Sequence, residues 1–134
     1  MTMTAARIAL KARLLIERRQ PQHLKTMCEL CEAAPATDLH EVIITRGAVR
    51  GHARLVTAIT EMEENVALLC HKCHMEDANA GWAKALLTVG LILRYGSTRV
   101  ISQINKLGLK NPRPYVNHVQ AWAKRDVAKG TKPT

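Results

Sequence analysis

The chain has 134 residues, 47% of them apolar, with no Phe and only two Trp and two Tyr, and it carries a formal net charge of +9. That length suits one domain, or one small module with attached helices, and a core built without Phe must rely on Leu, Ile, Val, Ala and Met. The longest apolar run, residues 85–93, is too short to span a bilayer, and the first residues lack the pattern of a secretory leader, which points to the cytoplasm.

Residues 4–19 form the first expected element. Ala5, Ala6, Ile8, Ala9, Leu10, Leu14, Leu15 and Ile16 recur at helical spacing, Thr4 can cap the start, and Pro21 ends the run. Residues 24–32 carry a first C-x-x-C turn, and residues 33–37 are a connector containing Pro35. Residues 38–45, rich in Leu, Val and Ile, read as a strand. Residues 47–57 are polar, basic and punctuated by glycine, so a loop is expected there. Residues 66–69 read as a second strand. A helix is expected to open at Cys73 and run to Trp82, with another over residues 83–94 after a break at Gly81. Ser97 looks like the cap of a helix over 98–107, with Gly108 as its stop. A Pro112–Pro114 turn follows, then an amphipathic helix over 115–124. The last residues are expected to be disordered. The resulting division is 1–25 (basic helix), 26–83 (central module), 84–127 (basic helices) and 128–134 (tail).

Charge is unevenly placed along this order. The first 25 residues hold six basic and one acidic residue, residues 26–83 hold four and nine, and residues 84–134 hold ten and one. An acidic centre between basic ends suits a divalent-metal site presented to a polyanion. The plainer reading is solubilising charge, which explains the total but not the segregation.

All four cysteines fall in two pairs, Cys28/Cys31 and Cys70/Cys73. Each C-x-x-C puts two thiolates on one tight turn, and two such turns complete a closed tetrahedral zinc site. The binding free energy of such an ion replaces a missing apolar core in an irregular segment. A redox C-x-x-C opens a helix in a strand–helix–strand unit and needs no second copy, so one structural Zn2+ is the stronger reading.

Within the cysteine frame lie Asp38-Leu39-His40-Glu41-Val42, then Asn65 before Val66-Ala67-Leu68-Leu69-Cys70, then His74 directly after Cys73. The order C-x-x-C, L-H-E-V, N-V-A-L-L-C-x-x-C-H resembles the His-Asn-His (HNH) endonucleases, closest to the small bacteriophage-encoded type, over residues 28–82. The resemblance implies an α+β, mostly helical chain: a zinc-stapled ββα-metal (treble-clef-like) nuclease module with an N-terminal helix and C-terminal helices. It implies a second, catalytic cation (Mg2+, Mn2+ or Ni2+) that binds the scissile phosphate of duplex DNA. Residue by residue, His40 takes the ligand position on the strand, Asn65 the structural position, and His74 the ligand position on the helix. Two departures stand out. The family often has His-His or Asp-His where this chain has His40-Glu41. Adjacent strand residues face opposite ways, so either Glu41 is the base or a second ligand, or His40 is the base and Asp38 a ligand. The family's further His, four residues after His74, is Ala78 here, with Asp77 or Asn79 left to fill its place.

Arg46, Arg50, His52 and Arg54 follow the first strand, where the family's substrate groove would lie, and Arg suits bidentate phosphate contact. Residues 98–107 and 115–124 could form a helix-turn-helix reader whose Lys106, Lys110, Arg113, Lys124 and Arg125 meet phosphates; packing on the nuclease module is the plainer alternative. Trp82 and Trp122 read as core or docking residues, and His23, His71 and His118 as surface residues. The leading expectation is an endonuclease that cuts or nicks duplex DNA in the cytoplasm of a host cell. Resemblance to phage members implies a partner in genome packaging or host DNA processing. The alternatives are a zinc module that binds DNA without cutting it, and a regulator of another protein.

Overall fold

The computed structural model describes residues 4–129. The order is α1 (Ala5–Glu17), β1 (Asp38–Glu41), a 3-10 turn (Arg46–Val49), α2 (Ala53–Thr60), a second 3-10 turn (Glu63–Asn65), β2 (Val66–Leu69), α3 (His71–Glu76), α4 (Gly81–Tyr95), α5 (Ser97–Lys106) and α6 (Arg113–Lys129). The chain is thus α+β and mostly helical, with one two-stranded sheet. Among the described residues no helix is long and apolar enough to cross a membrane.

β1 and β2 pair antiparallel, with Asp38 opposite Leu69, Leu39 opposite Leu68, His40 opposite Ala67 and Glu41 opposite Val66. Side chains alternate between faces, and directly opposed residues share one. Leu39, Val66 and Leu68 therefore turn to α1, where they pack with Leu10 and Leu14. Ala67 and Leu69 turn the other way into the larger cluster, which runs from Cys28 and Cys70 through Ile44 and Ile59 to Leu87, Val100, Ile104 and Val119. One core therefore joins residues on both sides of position 83.

Several expected boundaries move, each for a local reason. The first strand stops at Glu41 because, after Val42 N donates to the backbone O of Asn65 at 2.7 Å, the buried Asn65 side chain and not a neighbouring strand receives the following two amides: its Oδ1 accepts from Ile43 N and Ile44 N, both at 2.9 Å. The expected loop at 47–57 contains α2 from Ala53. Gly51, at φ +87°, turns the chain, and Ile59 then seals the helix against the core. The helix expected from Cys73 starts at His71, because Cys70 caps it with Sγ accepting from Cys73 N at 3.5 Å. It ends at Glu76, so Trp82 belongs to α4. Gly96, not Ser97, precedes α5. Pro112 and Pro114 start α6 instead of delaying it: Pro112 O accepts from Tyr115 N and Val116 N, and a proline in a first helical turn has no needed amide to lose. Of the expected tail, residues 128–129 lie in α6 and residues 130–134 lie outside the described residues.

Candidate metal centre and the adjoining cavity

The two C-x-x-C turns meet at the end of the hairpin. The first is closed by Cys28 N donating to Ala34 O at 2.7 Å and by Glu32 N donating to Cys28 O at 3.0 Å, with Glu32 at φ +57°. It is fastened to the sheet through Glu29 N, which donates to Leu68 O at 2.9 Å. Backbone amides of Leu30, Ala33 and Cys73 point at the sulfurs of Cys28, Cys31 and Cys70 at 3.4–3.5 Å. All four sulfurs lie within 4.8 Å of one another, and those of Cys31 and Cys70 are 3.9 Å apart. A tetrahedral ion with metal–sulfur bonds of ~2.3 Å keeps its sulfurs roughly 3.8 Å apart. The cluster can therefore hold one metal ion such as zinc. Burial pushes the Cys28 and Cys73 thiols up, while the Ala33 amide draws Cys31 down to about 7.

Beside this cluster is a cavity of about 590 Å³, lined among others by Arg7, His40, Glu41, Arg46, His74 and Asn79. The hairpin's alternation explains who meets whom. His40 points to the α3 side, where its ring lies 5.3 Å from that of His74, at 64°. Glu41 points to the α1 side, where its Oε2 accepts from Arg7 Nη2 at 3.2 Å and its Oε1 from Arg46 Nε at 2.5 Å. Burial alone would raise the Glu41 pKa, but the two guanidiniums outweigh it and hold the carboxyl below its usual range. His40 moves the other way: burial, reinforced by His74, pushes its pKa down to about 4, so the ring is neutral at pH 7.

Asp38 does not turn a free carboxylate to His40. Its Oδ2 contacts Nδ1 of His74 at 2.9 Å and Nδ1 of His71 at 3.0 Å. These bonds overcome its burial and hold its pKa at about 2. Engaging Nδ1 of His74 leaves Nε2 as the ring's open nitrogen, the arrangement that fixes a metal-binding histidine. Ala78 follows the end of α3 and is 2% exposed, so no helical side chain reaches the cavity from there; Asn79, exposed, lines it instead. Among the described residues the four cysteines are the one set of three or more His, Cys, Asp or Glu placed to hold a metal ion. The cavity itself offers two imidazoles, with Asn79 at its wall.

Asn65 is fully buried and uses both ends of its amide. Besides the two amides it receives, its Nδ2 donates to Ile44 O at 2.9 Å and to Ile59 O at 3.2 Å. It therefore ties the segment after His40 to the end of α2.

The residues expected at a nucleic-acid surface separate into groups. Arg46 lies in the cavity wall. Arg50, Arg54, Lys110, Arg113, Lys124 and Arg125 are exposed, with Arg125 over the Trp122 ring at 4.9 Å. Lys106 borders a groove with Glu61, Glu63 and Glu64. Val100, Ile104 and Val119 are fully buried, so α5 and α6 pack on the module. Trp82 is 56% exposed, which overturns a core position. His71 and His118 have the partners the sequence did not supply: Asp38 for the first, and Thr88 Oγ1 at 2.9 Å for the second.

Two buried cations were invisible as site residues. Arg7, 5% exposed, also donates to Thr60 O at 2.7 Å and Leu39 O at 3.2 Å. Arg18, 4% exposed, donates to Glu29 at 3.0 Å, Val66 O at 2.8 Å, Glu63 O at 3.1 Å and Tyr95 Oη at 3.0 Å. The one available signal was their register: Arg7, Leu10, Leu14 and Arg18 share a helical stripe, so the apolar face ends in a cation on both sides. No family model, no curated protein and no solved structure matches the chain.

Proposed function

We propose that this chain is a metal-dependent DNA endonuclease of the HNH type, a zinc-stapled ββα-metal module that hydrolyses or nicks a phosphodiester bond in duplex DNA. The observation that carries the reading is the approach of His40 on β1 to His74 on α3 across an open cavity, 5.3 Å ring to ring. Two imidazoles bound at ~2 Å to one cation have ring centres roughly 5 Å apart. Both rings also suit the task chemically: His40 is neutral at pH 7, and His74 is oriented through Asp38.

In this reading His40 and His74 would hold the catalytic cation, with Asn79 in the wall of the same cavity. A divalent cation bound there supplies Lewis-acid polarisation of the phosphate and lowers the pKa of its water. Asn65 keeps the backbone after His40 in place. Arg46, at the cavity wall, takes a phosphate oxygen. Glu41 serves as its anchor: a carboxylate held ionised by two guanidiniums is a weak proton acceptor, so the general-base role is not assigned to it. Zinc at the four cysteines fixes both the start of α3 and the end of the hairpin.

Plasmid nicking with Mg2+, Mn2+ or Ni2+ tests the proposal. Wild type should convert supercoiled plasmid to open circles, and His40→Ala and His74→Ala should lose at least about 100-fold, the scale on which a single catalytic contribution is measured. Supercoiled plasmid left intact with every metal would reject the enzyme. A second reading, a zinc module that binds DNA without cutting it, is favoured by the engagement of Glu41 with two arginines, and intact plasmid that the protein still binds would install it.

A further inference from the structure

Helix α1 carries two apolar faces. Leu10 and Leu14 pack on the hairpin. On the other side Ala5, Ile8, Ala9, Ala12 and Ile16 are exposed, Ile8 at 56% and Ile16 at 77%. Each residue turns the helix by ~100°, so these positions fall on one stripe. Lys11 borders it on one flank, and Arg13 and Glu17 border it on the other. Single exposed apolar side chains are ordinary, whereas a stripe running the length of a helix is a surface for a partner.

The stripe is symmetric about Ala12. Ile8, Ala12 and Ile16 stand four residues apart and form one ridge: large, small, large. Turned over a twofold axis at Ala12, the helix places Ile8 level with Ile16 of the partner subunit, and Ala12 against Ala12 of the partner subunit. The small residue thus sits where two backbones come closest, and the isoleucines close both sides. The charges complement each other in the same register. Arg19 lies just past the end of α1, and Glu61 accepts from the Thr4 hydroxyl at its start; neither has an ion-pair partner among the described residues. Antiparallel helices bring Arg19 level with Ala5 of the partner subunit, and so beside the partner's Glu61, once at each end. The opposed helix dipoles favour the same arrangement.

We infer that this chain self-associates through α1 as an antiparallel, twofold dimer, with Ala12 on the axis and an Arg19–Glu61 pair at each end. A patch in which residue i meets residue j while j meets i closes on one further copy and forms no open chains. An unlike partner would need neither the symmetric ridge nor the matched charges. Two helices ~20 Å long bury less than the roughly 1,200 Å² at which stable interfaces begin. The dimer is therefore reversible, with a Kd on the order of 10 µM. The inference uses no residue of the cavity and stands apart from the endonuclease reading.

Sedimentation equilibrium of the full chain, from about 1 to about 500 µM, tests it. Wild type should pass from monomer to dimer over this range and stop there. Ala12→Glu and Ile16→Lys each bury a charge in the dimer alone and should raise Kd at least about tenfold. Both positions are exposed in the monomer, and an unchanged melting curve at the lowest concentration will show that the variants fold. Arg19→Glu should weaken the dimer by setting two carboxylates together. Arg19→Glu with Glu61→Arg should restore it, which mere damage to the fold would not do. Lys124→Ala, an exposed change on α6, should leave Kd as it is. The inference is overturned if wild type stays monomeric throughout, which would give the stripe to an unlike partner, or if it grows past the dimer. It is overturned equally if the stripe variants associate as wild type does, or if the double reversal fails to recover the dimer.

Discussion

The two basic ends of the chain look alike in composition and behave in opposite ways in the fold. In the N-terminal segment Arg7 and Arg18 turn inward and Arg13, though exposed, is paired. Arg7 meets Glu41, Arg18 meets Glu29, and Arg13 meets Glu17 and Glu63. In the C-terminal segment Lys110, Arg113, Lys124 and Arg125 stay exposed. The acidic centre is the reason. Its Glu29, Glu41, Glu63 and Glu64 pair with arginines and are not available as a cation cage. Charge segregation along the sequence thus served two purposes: Arg7, Arg13, Arg18, Arg46 and Arg99 pair with carboxylates of the centre, and cations such as Lys110, Arg113, Lys124 and Arg125 face outward.

The largest expected effect tests what holds both segments in place. Treatment with a metal chelator, or changing Cys28 and Cys73 together to Ser, should abolish cooperative thermal unfolding if the four cysteines hold an ion, because ion binding and folding are one event in such a site. A sharp transition in metal-free protein would show that the apolar clusters suffice. Next come the inward cations. Arg18→Ala and Arg7→Ala should each cost about 3 kcal/mol in urea unfolding, since the first leaves Glu29 without its arginine, the second leaves Glu41 with Arg46 alone, and both strip buried carbonyls of their donor. Arg18→Lys should restore only part of this, because one ammonium cannot reach four acceptors.

A smaller effect concerns acid. His118 is half-buried against Thr88, and its pKa is pushed down by burial and by Lys84. Above the ordinary histidine pKa both folded and unfolded chains hold it neutral, and stability is at its full value. As pH falls below that point the unfolded chain takes up the proton first, so stability declines until the folded-state value is passed. His118→Gln should reduce this decline, measured as urea midpoint against pH. The smallest change belongs to the outward cations: Lys124→Ala should alter stability by less than about 0.5 kcal/mol. A loss as large as that of Arg18→Ala would erase the contrast between the two ends.

Some of the site was legible before folding. The two C-x-x-C pairs announce themselves by spacing, and Asn65, His40 and His74 stand out against their apolar neighbours. Period-two alternation correctly sent His40 and Glu41 to opposite faces. The strand's end at Glu41 was not legible, because a side chain 21 residues from Ile44 takes its amide. Helix α2 was hidden by Gly47 and Gly51, although Leu55, Val56 and Ile59 already carried its stripe.

By itself, then, the sequence determined the two strands and five of the six α-helices, the thiol pairs, and which residues could do chemistry, since these depend on neighbours within a few positions. Tertiary structure decided the partners of the buried charges. Arg7 and Glu41 are 34 residues apart, Arg18 and Tyr95 are 77 apart, and only tertiary packing brings them within hydrogen-bond range. A charge's environment is set by what lies across the fold, and local periodicity carries no record of that.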